Sequence, residues 1–299
     1  MHVSAVICTR NRPDLIGTAV NSVLANTYPS FDLLVVDQSD DDRTGATVRA
    51  LIDTHPNLRY LHTAKAGLSR AYNLGIRATS GAILAFTDDD CCAPSDWISS
   101  IVEAFQSEPD ADMLYGQVLR PESLTTSTQE LPLLEFSQPR RFSARDGFRI
   151  HGMGANFAAQ RRLFERIGLF DEVLGGGGPL KSSQDFDLQY RAYRGQAVVL
   201  LSPTVRVDHY GVRNDEQWSK TLREYGIGEG AFYFKHVRCG DLFALWLLVC
   251  RIGHLAVFDG AKALLRRRFT PYFPFYVEGV RLSLRYPIDR QERVYRNAI

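Results

Sequence analysis

Apolar runs alternate with amphipathic segments over the first 120 residues of the chain. Short runs rich in apolar and β-branched residues predict four strands, at residues 3–9, 31–37, 58–62 and 82–87. Apolar residues at three- and four-residue spacing predict helices between and after these strands, at residues 13–28, 43–54, 67–79 and 95–107. This alternation is typical of an α/β fold with a doubly wound, mostly parallel sheet.

The pattern weakens between residues 121 and 150, a stretch rich in Ser, Thr, Pro and Arg. A long segment without periodicity is usually a functional loop or an insertion, and we expect one of these here. Periodicity returns at residues 183–194, which predict a helix, and at residues 197–201 and 204–208, which predict two short strands around Pro203.

The C-terminal part of the chain has a different character. Residues 242–258 are apolar but include Arg251 and His254. A spanning helix needs about 20 apolar residues, and a central Arg costs about 2.5–3.5 kcal/mol on insertion scales. Basic and aromatic residues follow: Arg266, Arg267, Arg268, Phe269, Tyr272, Phe273, Phe275 and Tyr276. We expect a helix that lies in a membrane interface, with a buried core helix and a true span as alternatives.

Composition narrows the class of protein. The 299 residues are 45% hydrophobic and 23% charged, which suits one large globular domain, or a domain with an appendage. The net charge of +1 gives no indication of a nucleic-acid partner. Residues 232–299 carry 12 Lys and Arg against 5 Asp and Glu, whereas the preceding residues carry 23 against 29. An acidic front and a basic, apolar tail suggest two separate roles.

Cysteine usage indicates the compartment. The five cysteines are odd in number and match no disulfide framework or zinc pattern. We expect reduced thiols in a cytoplasmic protein, peripheral on the cytosolic face of a membrane. The apolar run at residues 3–8 is too short for a signal peptide, and Arg10 and Arg12 follow it.

Three consecutive carboxylates, Asp88, Asp89 and Asp90, follow the fourth predicted strand. Hard oxygen ligands suit Mg²⁺ or Mn²⁺, and open α/β sheets bind ligands at the carboxyl ends of their strands. We therefore expect a divalent metal that holds a phosphorylated ligand, with a solvated acidic loop as the alternative. The adjacent Cys91 and Cys92 could suggest zinc, but thiolates and carboxylates prefer different metals.

Ordered segments of the chain resemble a known family. Val-Ile-Cys-Thr-Arg-Asn-Arg at 6–12, Val-Val-Asp-Gln-Ser-Asp-Asp at 35–41, Gly-Leu-Ser-Arg-Ala-Tyr-Asn-Leu-Gly at 67–75 and Thr-Asp-Asp-Asp at 87–90 resemble glycosyltransferase family 2, the inverting GT-A enzymes that use nucleotide sugars. Segments 154–158, 168–172 and 184–188 resemble the acceptor-side motifs of that family.

The resemblance covers roughly residues 1–235. It implies a GT-A domain with a Rossmann-like nucleotide-sugar-binding half at 1–120 and an acceptor and catalytic-base half at 121–235. Residues 236–299 would then form a helical, membrane-associating tail.

The resemblance implies roles for the acidic cluster. Asp88 and Asp90 would form the metal-binding Asp-x-Asp motif, with Asp90 the stronger candidate for direct ligation. Asp89 would contact the ribose or the donor sugar, or set the turn. His209 follows a short predicted strand, where some GT-A enzymes place a metal-binding His, although a lone His is more often structural or exposed.

Other motif residues would bind the donor. By resemblance, Asp37 would hydrogen-bond the nucleotide base, and Thr9 and Arg10 would line the nucleotide pocket. Arg70 would reach the phosphates, with a solvated helix residue as the alternative. Relatives often carry Arg at the position of Tyr72, and this departure competes with the role given to Arg70.

An inverting transfer needs one base opposite the leaving group. The resemblance implies that this base is Asp185, although the family usually has Glu-Asp where this chain has Gln184-Asp185. Loss of the Glu removes a negative charge that could raise the pKa of the base. The alternative for Asp185, and the favoured interpretation of Asp187, is stabilisation of a helix N-terminus through its dipole.

Two further features point to the acceptor side. Four consecutive glycines at 175–178, among them Gly176 and Gly177, precede the expected base and predict a mobile loop that orders over substrate. Trp97 could form an apolar wall for the acceptor, with core packing as the alternative.

The leading hypothesis is non-processive, metal-dependent transfer of a sugar to a membrane-adjacent acceptor, such as a lipid-linked glycan. The donor would carry UDP, the commonest nucleotide in the family, or dTDP or GDP, and the metal would be Mn²⁺ or Mg²⁺. A sugar nucleotidyltransferase is disfavoured because residues 9–13 lack the Gly-rich phosphate loop. An inactive GT-A scaffold or binding protein is the remaining alternative.

Overall fold

The computed structural model describes residues 1–125, 130–265 and 271–296, with side chains through residue 261 in the middle range. It divides into two compact units. The first unit comprises Met1–Ala66, Arg70–Leu169 and Gln189–Val212. The second unit comprises Gly67–Ser69, Phe170–Leu188 and Arg213–Ile299. The division into 1–120, 121–235 and 236–299 that the resemblance implies stays a prediction.

A mixed sheet forms the centre of the first unit. Its described strands run in the order β3-β2-β1-β4-β8-β6-β9-β5, and β7 also pairs with β9. The strand bounds are β1 Val3–Thr9, β2 Phe31–Asp37, β3 Leu58–His62, β4 Ile83–Asp88, β5 Cys91–Cys92, β6 Met113–Leu119, β7 Arg140–Phe142, β8 Asn156–Gln160 and β9 Val199–His209. The strands β1 to β4 are mutually parallel, and β8 is antiparallel to both β4 and β6.

Helices pack against this sheet. Their bounds are α1 Pro13–Leu24, α2 Arg43–Ile52, α3 Leu68–Ala78, α4 Trp97–Ser107, α5 Arg161–Ile167 and α6 Gln184–Arg194. Apolar faces of α1, α2 and α4 bury against β1, β2 and β4 in a core that includes Ile7, Ile16, Val20, Val35 and Phe105. Pro13 at the start of α1 fits a position where a missing N–H costs little. The α/β, mostly parallel fold is the one predicted from the sequence.

The second half of the sheet differs from the prediction in detail. The predicted strands at 197–201 and 204–208 are one strand, β9. Opposite Gly116 and Gln117 the register of β9 jumps from Ser202 to Arg206, which leaves Pro203 in a bulge. Proline cannot donate a ladder hydrogen bond, so a bulge accommodates it without breaking the strand. The side-chain amide of Gln117 donates to the Pro203 carbonyl across this bulge.

The second unit is largely helical. Its elements are α7 Asp215–Arg238, α8 Leu242–Leu265, α9 Phe273–Ser283, β10 Ile288–Asp289 and β11 Val294–Tyr295. The predicted boundary at residue 235 falls inside α7. The α7 and α9 backbones approach closely, because a Cβ on Gly230 would lie 2.0 Å from the Tyr276 carbonyl oxygen and one on Gly279 would lie 2.0 Å from that of Ile227.

A buried ionic cluster ties the second unit together. The Lys235 ammonium lies 2.7 Å from Asp171 Oδ2 and 2.6 Å from Asp187 Oδ1, and all three side chains are fully buried. His236 Nε2 is 2.9 Å from the same oxygen of Asp187. The backbone N–H of Tyr295 donates to Asp171. The cluster thus links α6, α7 and β11 through charges that water does not reach.

Candidate active site

Polar side chains gather where the parallel strands end. Thr9, the last residue of β1, pairs in register with Asp37, the last residue of β2. Asp88 at the end of β4 pairs with Cys8 of β1. Because adjacent parallel strands end at one edge of the sheet, Thr9, Asp37 and Asp88 share that edge, as the sequence predicts.

The acidic turn lies between β4 and β5. Asp89 and Asp90 are almost fully buried, and Asp88 is partly exposed. The two-residue strand β5 pairs antiparallel with the end of β9, so that Cys91 lies opposite His209. This pairing carries His209 to the acidic turn.

Arg12 is a site residue that the sequence analysis did not single out. Its Nη1 donates to Asp89 Oδ1 at 2.8 Å and to Asp90 Oδ2 at 2.6 Å. The Thr9 hydroxyl donates to the other oxygen of Asp89 at 2.7 Å. The sequence does place a basic residue shortly after the first strand, and three adjacent carboxylates after the fourth. It does not show whether Arg10 or Arg12 contacts these carboxylates, because both carry the same charge.

The pair Asp90 and His209 has the chemistry of a metal site. His209 Nδ1 lies 3.2 Å from the Pro132 carbonyl, which can only accept, so Nδ1 carries a proton. In the neutral ring, Nε2 then turns a lone pair toward Asp90 Oδ1, 3.2 Å away. Asp90 Oδ1 is buried and has no hydrogen-bond partner among the described residues. A divalent cation suits both atoms, and the carbonyl fixes the ring as metal-binding histidines require.

The electrostatics of the cluster agree with this assignment. Burial, and then the charge of Asp90, raise the pKa of Asp88 to about 7. Burial also raises the pKa of Asp89 to about 6, against the opposing charge of Arg12. For Asp90, burial is outweighed by His209 and Arg12, and its pKa falls to about 2. Carboxylates this buried need a cation when all are ionised.

Cys91 belongs to the same constellation but is a poor ligand. Its sulfur lies with ligand atoms of Asp90 and His209 in a group whose members are within 4.8 Å of one another. Burial, and then the charges of Asp88 and Asp90, raise the pKa of the Cys91 thiol well above its ordinary value. Since the thiolate is the ligand form, Asp90 and His209 are the better candidates for metal ligands in this group.

The residues expected at the nucleotide differ in exposure. Asp37 is fully buried, and its carboxylate accepts from the Ser39 N–H and the Tyr60 hydroxyl, both at 2.8 Å. Arg10 is exposed and pairs with Asp40 at 3.2 Å. The fold therefore fixes the orientation of Asp37 before any ligand arrives.

The position of Tyr72 bears on whether residue 72 or Arg70 would reach the phosphates. Its ring is almost fully buried, edge-on to Phe86 at 5.2 Å and to Phe157 at 6.1 Å between centroids. Tyr72 is therefore a core residue, and its ring is not available to a phosphate. Arg70, partly exposed on the same helix, is left as the candidate cation there.

The expected base lies in the second unit. Asp185 stands in the first turn of α6, partly exposed, and accepts from the Phe186 N–H at 3.0 Å. Asp187 is fully buried in the ionic cluster with Lys235 and His236, so its carboxylate is structural. Gln184 is buried. The first turn of α6 thus presents Asp185 as its accessible carboxylate.

The glycine run precedes this helix. Gly175 and Gly177 have φ values of +99° and +73°, which favour glycine. The Gly176 carbonyl accepts from the Leu68 N–H at 2.8 Å, and the Leu174 carbonyl accepts from the Ser69 hydroxyl at 2.7 Å. The predicted mobile loop is therefore hydrogen-bonded to residues of α3 in this structure.

Trp97 is fully buried, and its indole N–H donates to Asn156 Oδ1 at 3.0 Å. Trp97 therefore packs in the core, the alternative given for it, and has no exposed surface in this structure. The basic and aromatic residues at 266–269 lie outside the described residues.

Solved structures share the fold. A mannosyltransferase from Pyrobaculum calidifontis, solved with GDP-Man and Mn²⁺, aligns with a TM-score of 0.60 at 19% identity, over 94% of this chain and 84% of that one. TarS 1-349 of S. aureus, solved with UDP, aligns at 0.57 and 19% identity, over 76% and 65%. The sheet topology and these alignments show a GT-A fold.

The sequence matches assign the family. Residues 4–168, over half of the chain, match the model for glycosyl transferase family 2. The chain belongs to glycosyltransferase family 2 and is an enzyme. Glucosyl-dolichyl phosphate glucuronosyltransferase of Haloferax volcanii is 26% identical over 60% of this chain and 58% of its own length. Beta-monoglucosyldiacylglycerol synthase of Synechocystis is 24% identical over 89% and 58%. The chain thus covers less than two thirds of these relatives.

Proposed function

We propose that this protein transfers a sugar from a nucleoside-diphosphate sugar to a hydroxyl of a membrane-adjacent, lipid-linked acceptor, non-processively and with inversion. The observation that carries the proposal is the close approach of the buried Asp90 Oδ1 to His209 Nε2, 3.2 Å apart at the strand ends. A cation site at this edge is where a donor diphosphate would bind in an open α/β sheet. The names of the Haloferax and Synechocystis relatives support a lipid-linked acceptor.

Asp88, Asp90 and His209 would hold the metal, Mn²⁺ or Mg²⁺. When bound, such a metal neutralises the charge that develops on the diphosphate leaving group. Arg12 adds one positive charge at the same edge, where it pairs with both Asp89 and Asp90. Arg12 and a divalent metal would together offset the three carboxylates of the acidic turn.

Asp37 would recognise the nucleotide base through a carboxylate oriented by Ser39 and Tyr60. Thr9, Arg10, Arg70 and Asp89 would line the remainder of the donor site. We propose UDP as the nucleotide of the donor, with dTDP and GDP as alternatives. The thermal-shift screen described below distinguishes the three.

Asp185 would act as the general base. Its carboxylate removes the proton of the acceptor hydroxyl as that oxygen attacks the anomeric carbon. The bond from this carbon to the phosphate oxygen breaks on the opposite side, so the configuration inverts. We place the enzyme at the cytosolic face of a membrane, which its apolar C-terminal segment supports.

A thermal-shift screen tests the donor site. Purified protein is heated with UDP, dTDP or GDP, each with and without Mn²⁺. A nucleotide at 100 times its dissociation constant stabilises by about 2.7 kcal/mol. We expect one diphosphate to stabilise the wild type only with metal, and Asp90→Ala to abolish the shift. Asp96→Ala, which removes an exposed carboxylate, is the matched control. Equal shifts with and without Mn²⁺ would reject the metal assignment.

A further inference from the structure

The outer face of α8 is an apolar surface without a partner in the described part of the chain. The buried positions Ala244, Leu248, Leu255 and Asp259 form one stripe along the helix. The opposite face exposes Leu242, Trp246, Val249 and Val257, and Leu245 and Phe258 are exposed on either side of the buried stripe. Leu242 is 79% exposed and Val257 is 74% exposed, so this surface reaches from the first turn of the helix almost to its end. Contiguous apolar surface of this kind marks an interaction site.

The charged residues of this segment face the protein. Between residues 242 and 261 these are Arg251 and Asp259. Arg251 makes a bidentate pair with Glu229 of α7, at 2.6 and 3.0 Å. Asp259 is buried and accepts from the Phe273 N–H at 2.7 Å. The exposed face therefore carries no Lys, Arg, Asp or Glu over these 20 residues, a length of about 30 Å at 1.5 Å per residue.

The same pairs argue against a spanning helix, although residues 242–261 are long and apolar enough to cross a bilayer. Just before α8, Asp241 pairs with Arg293 at 2.8 Å. Near the middle of α8, Arg251 pairs with Glu229 of α7, and toward the C-terminal end of α8, Asp259 accepts a hydrogen bond from Phe273 of α9. Insertion would break these pairs or draw Glu229 into hydrocarbon, where a charge is costly. Helix α8 is thus fastened along its length with one face outward.

The basic residues that follow this apolar segment in the sequence indicate what kind of partner its exposed face would bind. The sequence continues with Lys262, Arg266, Arg267 and Arg268, and has no acidic residue between 260 and 277. A wide apolar face that a basic segment follows in the sequence fits the interface of an anionic bilayer. Trp246 adds an aromatic side chain of the type enriched at that depth.

We propose that α8 lies parallel to the membrane plane with its outer face in an anionic lipid surface, and that it does not span the bilayer. This inference rests on the membrane placement in the proposed function and deepens it by naming the surface that makes the contact, although lipid binding of this kind needs neither donor nor acceptor. It fixes the second unit against the surface on which a lipid-linked substrate would be carried.

Vesicle binding of the full chain tests the proposal. Protein is floated with phosphatidylcholine vesicles, alone or with 30% phosphatidylglycerol. We expect binding to the anionic vesicles, weakened about tenfold or more in Val249→Glu and in Val257→Glu, because each places a charge among lipid chains. Leu15→Glu, at an exposed apolar position of α1, should bind as the wild type does. Asp90→Ala should also bind normally, which separates this result from failure of the transferase proposal.

The depth of the Trp246 side chain in the bilayer distinguishes a helix α8 that lies in the membrane plane from one that spans the membrane. Brominated lipids quench tryptophan fluorescence according to the position of the bromine along the chain. We expect strongest quenching by bromine near the headgroup, lost in Trp246→Phe. Strongest quenching at the bilayer centre would overturn the proposal in favour of a span. Failure to bind any vesicle, together with a dimer in solution that Val249→Glu dissociates, would overturn it in favour of contact between two copies.

Discussion

His209 Nε2 faces Asp90 Oδ1 at 3.2 Å, although 118 residues separate the two in the sequence. The pairing of β5 with the end of β9 brings them together, and the Pro132 carbonyl fixes the ring. Neither atom has a proton to offer the other when the imidazole is neutral. A proton on Nε2, which Asp90 and Asp88 favour by raising the pKa of His209, or an added cation would satisfy both atoms.

Removing His209 should weaken metal binding without disturbing the fold. His209→Ala deletes one proposed ligand, and we expect Mn²⁺ affinity to fall about 10- to 100-fold, at least the loss typical of a disturbed outer-shell partner. Titration calorimetry with Mn²⁺ measures this directly. Asp96→Ala is the control. Unchanged affinity in His209→Ala would remove His209 from the ligand set.

Metal affinity should rise with pH. Burial lowers the pKa of His209, but Asp90 and Asp88 outweigh burial and raise it above its ordinary value. Below that pKa a proton occupies Nε2 and competes with the metal, so affinity falls about tenfold per pH unit for each proton displaced. Asp88, with a pKa of about 7, contributes a second proton in the same range.

Mn²⁺ titrations between pH 5.5 and 8.5 measure this dependence. We expect the slope of log affinity against pH to decrease by about one in His209→Gln, which cannot be protonated. An identical slope in the two proteins would mean that His209 does not exchange a proton for the metal.

Arg12 should stabilise the metal-free protein. Arg12→Gln leaves Asp89 and Asp90 buried without their cation, and we expect the free energy of unfolding to fall by about 1 kcal/mol, a modest value because the guanidinium is partly exposed. Urea denaturation with and without Mn²⁺ should show a larger metal-induced gain in the variant. Arg12→Lys, which keeps the charge, should recover part of the loss.

Loss of the cation from the buried cluster of Lys235, Asp171 and Asp187 should lower the free energy of unfolding far more than loss of Arg12. Lys235→Met leaves Asp171 and Asp187 with a buried excess of negative charge, and we expect a loss of about 3–5 kcal/mol in the free energy of unfolding. Lys220→Met, at an exposed position of α7, should change stability by less than about 0.5 kcal/mol. If the double variant Lys235→Met with Asp187→Asn were no more stable than Lys235→Met alone, uncompensated charge would not be the cause.

Asp185→Asn should separate chemistry from binding. Loss of a general base lowers turnover about 10²- to 10⁴-fold, whereas nucleoside-diphosphate affinity should stay within about twofold of wild type. Transfer from a radiolabelled sugar nucleotide to a lipid extract measures turnover, and thermal shift measures affinity. Full activity in Asp185→Asn would exclude it as the base.

The sequence predicts the nucleotide-side strands closely and the second half of the sheet poorly. Strands β1, β2 and β3 have the predicted limits because buried parallel strands are continuous apolar runs. Strand β8 (Asn-Phe-Ala-Ala-Gln) was missed because it is short and contains two alanines, which do not favour strands. Pro203 divides the pattern of β9 but not the strand itself.

The candidate site divides in the same way. Asp88, Asp89 and Asp90 follow a strand and were predictable from their local sequence. Arg12 reaches carboxylates 77 and 78 residues away, and no local pattern specifies such a contact. Likewise, the structural role of Asp187 became visible only with Lys235 and His236 beside it.

The cluster of Lys235, Asp171 and Asp187 also limits how far this protein can be trimmed. The first unit ends at Val212, which makes that residue an inviting point for truncation. A chain cut there would keep Asp171 and Asp187 but lose the ammonium between them. The carboxylates of Asp171 and Asp187, which are fully buried in the intact protein, would then lack their ion-pair partner. The segment that bears Asp185 would lose the contacts that hold it in place. A minimal catalytic fragment of this enzyme must therefore extend at least through α7.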